Sequence, residues 1–155
     1  MNKLLLVTLV HNRKPLLGYA IKSVLAQDLP LDKFDYLLFN NGSTDGSEKI
    51  VSIISKRQKN IHAHHSVKNL GQQKAYNFIL DKIIPEKFPN HSVLCVLDDD
   101  DCLMPNALSS VYNFFSKHTE IGASYSGFSI INDYGHIKVA EHGKSKMMLN
   151  QFTKE

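Results

Sequence analysis

The chain has 155 residues, of which 43% are hydrophobic and 21% charged, and its net charge is +3. These values predict one globular domain, with a positive charge too small and too scattered to indicate a nucleic-acid-binding protein. No apolar run reaches the roughly 18 residues of a membrane span. The apolar stretch within Met1–Val10 has no signal-peptide cleavage site, so we interpret it as the first core strand.

Apolar patterning predicts alternating strands and helices. In chain order they are a strand at 4–10, a helix at 15–26, a strand at 36–39, a helix around 50–54, a strand at 61–66, a helix at 72–84, a strand at 92–97, a helix at 106–117, and strands at 122–131 and 135–139. Leu16, Leu25 and Phe78 are assigned to inward helix faces, and Asp45 with Glu48 indicates a capping box. The order predicts an α/β fold, a mainly parallel open sheet with helices on both faces and a C-terminal β-hairpin.

Four consecutive aspartates, Asp98–Asp101, follow the apolar run Val93–Leu97. We call them the acidic cluster. The run is typical of a buried parallel strand, and like charges at its end need compensation. Because ligands gather at the carboxyl ends of strands in open α/β sheets, a divalent metal such as Mg²⁺ or Mn²⁺ is the simplest compensation. Asp98 and Asp100 share one face of an extended chain, and Asp99 faces the other way. The alternative is a solvated acidic turn.

Cysteine and histidine residues give weaker signals. Cys95 lies within the predicted strand and Cys102 just past it, so we expect free thiols rather than a disulfide, and a cytoplasmic protein. His62, His64 and His65 fit an edge-strand surface better than a zinc site, which needs more ligands in closed geometry.

Polar loops follow all four predicted core strands. They contain His11–Pro15, Asn40–Gly46, Asn69–Asn77 and the acidic cluster, and a parallel sheet would bring them to one edge. None matches a P-loop or a dinucleotide-binding glycine turn.

These loops together resemble family 2 glycosyltransferases of the GT-A fold. Asn12–Pro15 resembles the start of the family's first helix, and Asn40–Ser47 its Asp-Asp-Gly-Ser-Thr-Asp-Gly turn. Asn69–Asn77 resembles the Asn-x-Gly…Ala-Arg-Asn segment, and Leu97–Leu108 the Asp-x-Asp-Asp…Pro…Leu segment. The resemblance implies a nucleotide-sugar-binding domain at 1–140, followed at 141–155 by a polar tail or the start of an acceptor region.

The resemblance also implies the site residues. It makes Asp100 the direct metal ligand, with Asp98 reaching the ribose or a metal-bound water, and Mn²⁺ or Mg²⁺ the cofactor. The implied nucleotide-sugar-binding residues are Thr8, Val10, His11, Asn12, Asn40, Asn41, Ser43, Gly71, Lys74, Asn77, Asp98 and Asp99.

Two features depart from the family pattern. Asn40 and Asn41 stand where the family usually has aspartates, one of which accepts a hydrogen bond from uracil; an asparagine carbonyl can accept that bond too. After Asp133 the remaining acids are Glu141 and Glu155, and neither lies in a recognisable acceptor motif. We therefore expect the catalytic base to lie outside this chain.

The implied function is an inverting transfer of a sugar from a nucleotide-diphosphate donor, a UDP-sugar, to a glycan or lipid-linked acceptor in cell-wall or polysaccharide biosynthesis. No nucleic-acid partner and no transmembrane segment are expected, and a peripheral membrane association stays open. The alternatives are a non-catalytic or truncated nucleotide-sugar-binding module and a nucleotidyltransferase.

Overall fold

A four-stranded parallel sheet forms the centre of the computed structural model, which describes residues 3–131 and 137–139. The strand order is β3-β2-β1-β4, and every neighbouring pair in this sheet is parallel, as predicted. The strands are β1 (Lys3–Val10), β2 (Phe34–Asn41), β3 (Ile61–Ser66) and β4 (His91–Val96). The carboxyl ends of all four therefore lie at one edge.

The helices of the described chain alternate with these strands. They are α1 (Lys14–Leu25), α2 (Ser47–Arg57), α3 (Gln72–Phe78), α4 (Ile84–Lys87) and α5 (Ala107–Lys117), with a 3₁₀ turn at Leu31–Lys33. A π-helical turn, Ile79–Ile83, joins α3 to α4 just before Pro85, whose missing N–H interrupts regular α-helical bonding. In the described part of the chain, no helix is long and apolar enough to cross a bilayer.

Helices cover both faces of the sheet, because alternate strand residues point to opposite sides. On one face, Leu4, Leu6 and Leu38 belong to a cluster that includes buried residues of α1, α2 and α5. On the other face, Leu5 and Val7 belong to a second cluster completed by Leu37, Phe39, Ala75, Ile79, Ile83 and Phe88. The predicted α/β architecture is confirmed.

The prediction that the strand before the acidic cluster is buried on both faces is wrong for the described chain. β4 lies at the edge of the sheet, where Val93 and Leu97 pack inward while Leu94 and Val96 are 41% and 54% exposed. A continuous apolar run indicates apolar surface on both sides of a strand, but here only one side is covered by described residues.

Three predicted inward side chains are also partly exposed, because each lies at the margin of its helix's apolar stripe. Leu16 is 40% exposed and Leu25 is 42% exposed, while Leu17 and Val24 between them are buried. Phe78 is 38% exposed, although its ring contacts Phe39 and His64.

The capping box predicted for α2 is not formed. The residue preceding the helix is Gly46, in a left-handed conformation, and Asp45 Oδ1 accepts the Ser47 N–H at 2.9 Å. Hydrogen bonds from Ser47 and from the Lys14 N–H lower the pKa of Asp45 to about 2. Glu48 Oε2 is buried without a hydrogen-bond partner among the described residues. Asp45 instead ties the turn to the start of α1, through Lys14.

The chain divides into two compact units, Met1–Ser116 and Lys117–Glu155. In the second, the strands β5 (Ile130–Ile131) and β6 (Ile137–Val139) are antiparallel, which confirms the hairpin. The expected strand at 122–131 is regular over its last two residues, since 122–129 carry no regular structure. The predicted turn at 132–135 and the predicted domain boundary at 140/141 lie outside the described residues.

One carboxylate links all four strands at the amino edge of the sheet. Asp35 on β2, 7% exposed, accepts hydrogen bonds from His62 Nε2 of β3 at 2.9 Å, His91 Nε2 of β4 at 2.8 Å and Lys3 Nζ of β1 at 3.2 Å. Burial alone raises the pKa of Asp35, but these three bonds outweigh burial and hold the pKa below its ordinary value.

The Asp35→Asn variant should lose about 2 kcal/mol of unfolding free energy at pH 7, because charged hydrogen bonds are lost. A lowered folded-state pKa contributes stability above the unfolded value, about 3.9, and loses it as the pH falls through the folded value. The difference from wild type in urea unfolding should therefore shrink below about pH 4.

The control is Asp32→Asn, whose side chain is 73% exposed beside Lys33 and should change stability by less than about 0.5 kcal/mol. An Asp35→Asn chain as stable as wild type at pH 7 would contradict the proposed link.

Candidate functional site

Loops at the carboxyl ends of the four strands converge and hydrogen bond to one another. After β1, the His11 N–H donates to Asp99 Oδ2 in the loop after β4 at 2.9 Å. Asn12 accepts the Thr44 N–H on its Oδ1 at 2.8 Å and donates its own N–H to Ser43 Oγ at 3.2 Å. The expectation that these loops meet at one edge is therefore confirmed.

Asn12 makes both contacts because its backbone is left-handed. Its φ is +53°, a conformation that asparagine tolerates better than most residues. Ser43 completes the junction by donating its hydroxyl hydrogen to the Val10 carbonyl at 3.5 Å. The β1 loop and the β2 turn thus behave as one polar surface.

The acidic cluster forms a turn rather than the extended segment that was predicted, because β4 ends at Val96 and the Asp101 N–H donates to the Asp98 carbonyl oxygen at 3.3 Å. Its first three residues nevertheless alternate in exposure, and Asp101 is exposed as well. Asp98 and Asp100 are exposed, whereas Asp99 is 9% exposed and turned toward the β1 loop. Asp99 and Asp100 also face Arg13, whose Nε lies 3.9 Å from Asp99 Oδ1 and whose Nη2 lies 3.5 Å from Asp100 Oδ2. Arg13, which precedes α1, is therefore a cation held against the cluster.

This compensation is incomplete. Burial raises the pKa of Asp99, and the charge of Asp100 adds to the increase, against the opposing effects of the His11 N–H and Arg13. The pKa of Asp101 is also raised, by burial first and then by Asp100 and Asp98. Keeping Asp99 and Asp101 ionised is therefore unfavourable, and a bound cation would reduce this electrostatic cost.

Tyr76 on α3 places a buried polar group close to the acidic cluster. Its hydroxyl is buried and has no hydrogen-bond partner among the described residues. Burial, with the charges of Asp98 and Asp99, raises the pKa of Tyr76 to about 12, so the group is a neutral donor close to the cluster. A buried donor without a partner is unfavourable until a ligand accepts from it.

The exposed carboxylates of the acidic cluster could hold a metal ion that is also bound by the phosphates of a ligand. Across residues 3–131 and 137–139, no group of three or more His, Cys, Asp or Glu side chains is arranged to hold a metal. Mg²⁺, however, is commonly held by one or two carboxylates together with substrate phosphates and waters. Asp98 and Asp100, both exposed, supply that number of carboxylates.

Several predicted binding residues lie beneath the surface of the site. Thr8 is fully buried and accepts the Tyr36 hydroxyl hydrogen at 2.9 Å, and Val10 is fully buried too. Asn40 is 3% exposed and accepts the Ser43 N–H on Oδ1 at 3.2 Å; Asn41 is 2% exposed. These four side chains therefore lie beneath the surface formed by the loops, and their part in binding stays a prediction.

The remaining predicted residues are accessible. Gly71, Lys74 and Asn77 are exposed at the start of α3 and along it. Gly71 has a φ of +77° and donates its N–H to Asn69 Oδ1 at 2.7 Å.

Arg13, Asn69 and Tyr76 lie within the loop motifs but are not among the site residues that the sequence predicts. Arg13 could have been found, because a buried acid beside a strand end needs a nearby cation. Nothing in the sequence shows that the Asn69 side chain contacts other loops or that the Tyr76 hydroxyl lacks a partner.

The cysteines and histidines behave as expected. Cys95 and Cys102 are free, and burial raises the pKa of Cys95 to about 11, which leaves it a neutral thiol. His62, His64 and His65 lie on the edge strand β3, where they contact Asp35, Phe39 and Ser52 respectively.

Comparison with known protein families identifies the chain. The family model described as "Glycosyl transferase family 2" matches residues 6–155. The chain belongs to this family. The resemblance of the four loops to family 2 glycosyltransferases is confirmed.

Two curated relatives come from Bacillus subtilis (strain 168). The minor teichoic acid biosynthesis protein GgaA is 30% identical over 115 residues, which cover 72% of this chain and 25% of GgaA. The minor teichoic acid biosynthesis protein GgaB is 27% identical over 109 residues, which cover 70% of this chain and 11% of GgaB. The chain thus spans a quarter or less of these relatives.

Solved structures share the fold at low identity. S. aureus TarS 1–349 in complex with UDP has a TM-score of 0.66 and 18% identity, covering 84% of this chain and 40% of that one. The mannosyltransferase PcManGT from Pyrobaculum calidifontis, in complex with GDP-Man and Mn²⁺, has a TM-score of 0.61 and 18% identity, covering 74% and 32%.

Gly42 in the β2 turn should tolerate no side chain. Its φ is +69°, and a Cβ there would lie 2.4 Å from the backbone N of Asn69 and 2.4 Å from the carbonyl carbon of Lys68. Gly42→Ala should therefore cost at least about 2 kcal/mol in urea unfolding.

The control is Gly18→Ala in α1, where the added Cβ would have no described atom within 4 Å apart from its chain neighbours and the nearby backbone of its own helix. It should raise stability by about 0.5–1 kcal/mol. Equal stability of the two alanine variants would show that the turn does not pack against the β3 loop as described.

Proposed function

We propose that the chain is the donor-binding part of a glycosyltransferase that transfers a sugar from a UDP-sugar to a glycan or lipid-linked acceptor of the bacterial cell wall. The observation that carries this proposal is the convergence of four strand-end loops on an acidic cluster with an exposed Asp98 and Asp100 pair. Family membership supports the reaction type. Teichoic acid biosynthesis in the names of GgaA and GgaB supports a cell-wall acceptor.

Uridine is proposed as the donor nucleoside on the strength of structural neighbours. S. aureus TarS 1–349 is known in complex with UDP and with UDP-GlcNAc, and the latter structure matches with a TM-score of 0.65. In the proposed site the nucleoside lies against the β1 loop and the β2 turn, at His11 and Asn12. The diphosphate faces the acidic cluster, Lys74 and the Tyr76 hydroxyl.

Each residue has a distinct part in this proposal. Asp100 and Asp98 would hold Mn²⁺ or Mg²⁺, which when bound neutralises charge on the diphosphate leaving group. Asp99 fixes the β1 loop through the His11 N–H, and Arg13 balances charge beside it. The base that takes the acceptor's proton is not assigned to a residue of this chain. The alternative function is a non-catalytic nucleotide-sugar-binding module. For localisation, the free cysteines support a cytoplasmic protein.

UDP should bind the chain measurably in the presence of Mn²⁺ or Mg²⁺, and its affinity should fall by at least about tenfold in EDTA, because the diphosphate would then meet uncompensated carboxylates. Isothermal titration calorimetry measures both conditions. Equal affinity in both would remove the metal from the proposal. No binding of UDP in either would contradict the donor site itself. Sugar-transfer assays with an acceptor then distinguish an enzyme from a binding module.

Asp100→Asn should weaken Mn²⁺-dependent UDP binding by about tenfold, since it removes an exposed charged ligand. Asp99→Asn is the matched control, the same chemical change at a side chain turned inward toward His11, and should have a smaller effect. If Asp99→Asn lost more UDP affinity than Asp100→Asn, then Asp99 would be the metal ligand and Asp100 the residue that supports the loop.

A further inference from the structure

A closed ring of hydrogen bonds joins the loops after β1, β2 and β3. Asn69 lies at its centre, with Oδ1 3.0 Å from Asn41 Nδ2 and Nδ2 2.9 Å from His11 Nε2. The ring closes where His11 Nδ1 lies 3.0 Å from the Asn41 carbonyl oxygen. These hydrogen bonds connect the three loops through His11, Asn41 and Asn69.

Backbone groups fix the direction of these bonds. The N–H of Gly71 donates to Asn69 Oδ1 at 2.7 Å, and the N–H of Leu70 donates to Asn41 Oδ1 at 2.9 Å. Backbone N–H groups are donors only, so both side-chain oxygens are identified as acceptors. The Asn69 Nδ2 group must then be the one that faces His11.

The tautomer of His11 follows from this orientation. Asn69 Nδ2 can only donate, so His11 Nε2 must accept and carries no hydrogen. The Asn41 carbonyl can only accept, so His11 Nδ1 must donate. His11 is therefore the neutral Nδ1–H form, with both ring nitrogens engaged inside the protein.

The same ring explains an asparagine at position 41. Its Nδ2 donates to Asn69 Oδ1, and an aspartate there would set a carboxylate oxygen against that acceptor. Asn69 could turn to relieve the clash only by losing the Gly71 N–H and presenting its oxygen to the unprotonated His11 Nε2. Asn41, Asn69 and His11 are therefore mutually dependent.

We propose that Asn69 is a positioning residue for the donor nucleoside: it holds His11 as the Nδ1–H tautomer and Asn41 in one amide orientation, and so sets the arrangement of three loops that receives the nucleoside. Its link to a nucleoside rests on the proposed function. His11, held by both nitrogens, offers its ring face to the ligand, and Asn41 shapes the loop from beneath.

Asn69→Asp tests this with little change in shape. The new carboxylate still accepts from Gly71 and Asn41, but it presents an acceptor to His11 Nε2. Nitrogen-15 NMR of histidine rings distinguishes protonated from unprotonated ring nitrogens, and the signals of His11 are identified among the eight histidines by their absence in His11→Gln. Wild type should show an unprotonated Nε2 at His11, and Asn69→Asp should show a protonated one.

UDP titration in Mn²⁺ supplies the second measurement. Asn69→Asp should weaken UDP binding by roughly tenfold, the effect of one lost orienting hydrogen bond. Asn113→Asp, the same change on the exposed surface of α5, should leave both the His11 signals and the UDP affinity unchanged.

The tautomer is measured without nucleotide, so it separates this inference from the proposed function. A wild-type His11 protonated at Nε2 would overturn the inference even if Asn69→Asp failed to fold. Unchanged UDP affinity in an Asn69→Asp chain with an altered His11 signal would overturn the positioning role. Failure of the wild-type chain to bind UDP would contradict the donor site and leave the tautomer result standing.

Discussion

Placing four carboxylates in sequence at the end of one strand is the constraint around which the carboxyl edge of the sheet is arranged. Asp99 is buried, and the His11 N–H and Arg13 offset part of the cost of its charge. That contact fixes the direction in which the β1 loop leaves the sheet. Asp98 and Asp100 consequently face outward, where a ligand can reach them. The charge that makes the acidic cluster costly also defines its chemistry.

Much of the fold follows from periodicity alone. Near-continuous apolar runs in β1 and β2, and apolar stripes on the helices, suffice to predict a parallel sheet covered on two faces. Periodicity cannot show which strand lies at an edge, and so Leu94 and Val96 are more exposed than their sequence suggests. It also cannot choose between local caps, and Asp45 bonds to the start of α1 as well as to its own turn.

The site was predictable as a place and as a set of loops, but less so as a set of contacts. The strand-end rule locates the acidic cluster and the loops of His11 and Asn41. Strand geometry does not explain the exposure of Asp98 and Asp100, because these residues lie in a turn after β4. The side-chain role of Asn69 could not be predicted, because it depends on which way two amide groups point. That orientation is set by backbone N–H groups brought together only by folding.

The two edges of the sheet handle buried carboxylates differently, and the difference carries functional meaning. At the amino edge, Asp35 has three donors from three strands, and its pKa is lowered. At the carboxyl edge, Asp99 has a raised pKa despite Arg13 and a backbone N–H. At the amino edge, the fold therefore gives the buried carboxylate of Asp35 enough hydrogen-bond donors to stabilise its charge. The carboxyl edge is left short of positive charge. In the proposed site, a cation that arrives with a diphosphate would offset carboxylate charge that a fully paired cluster would not leave available.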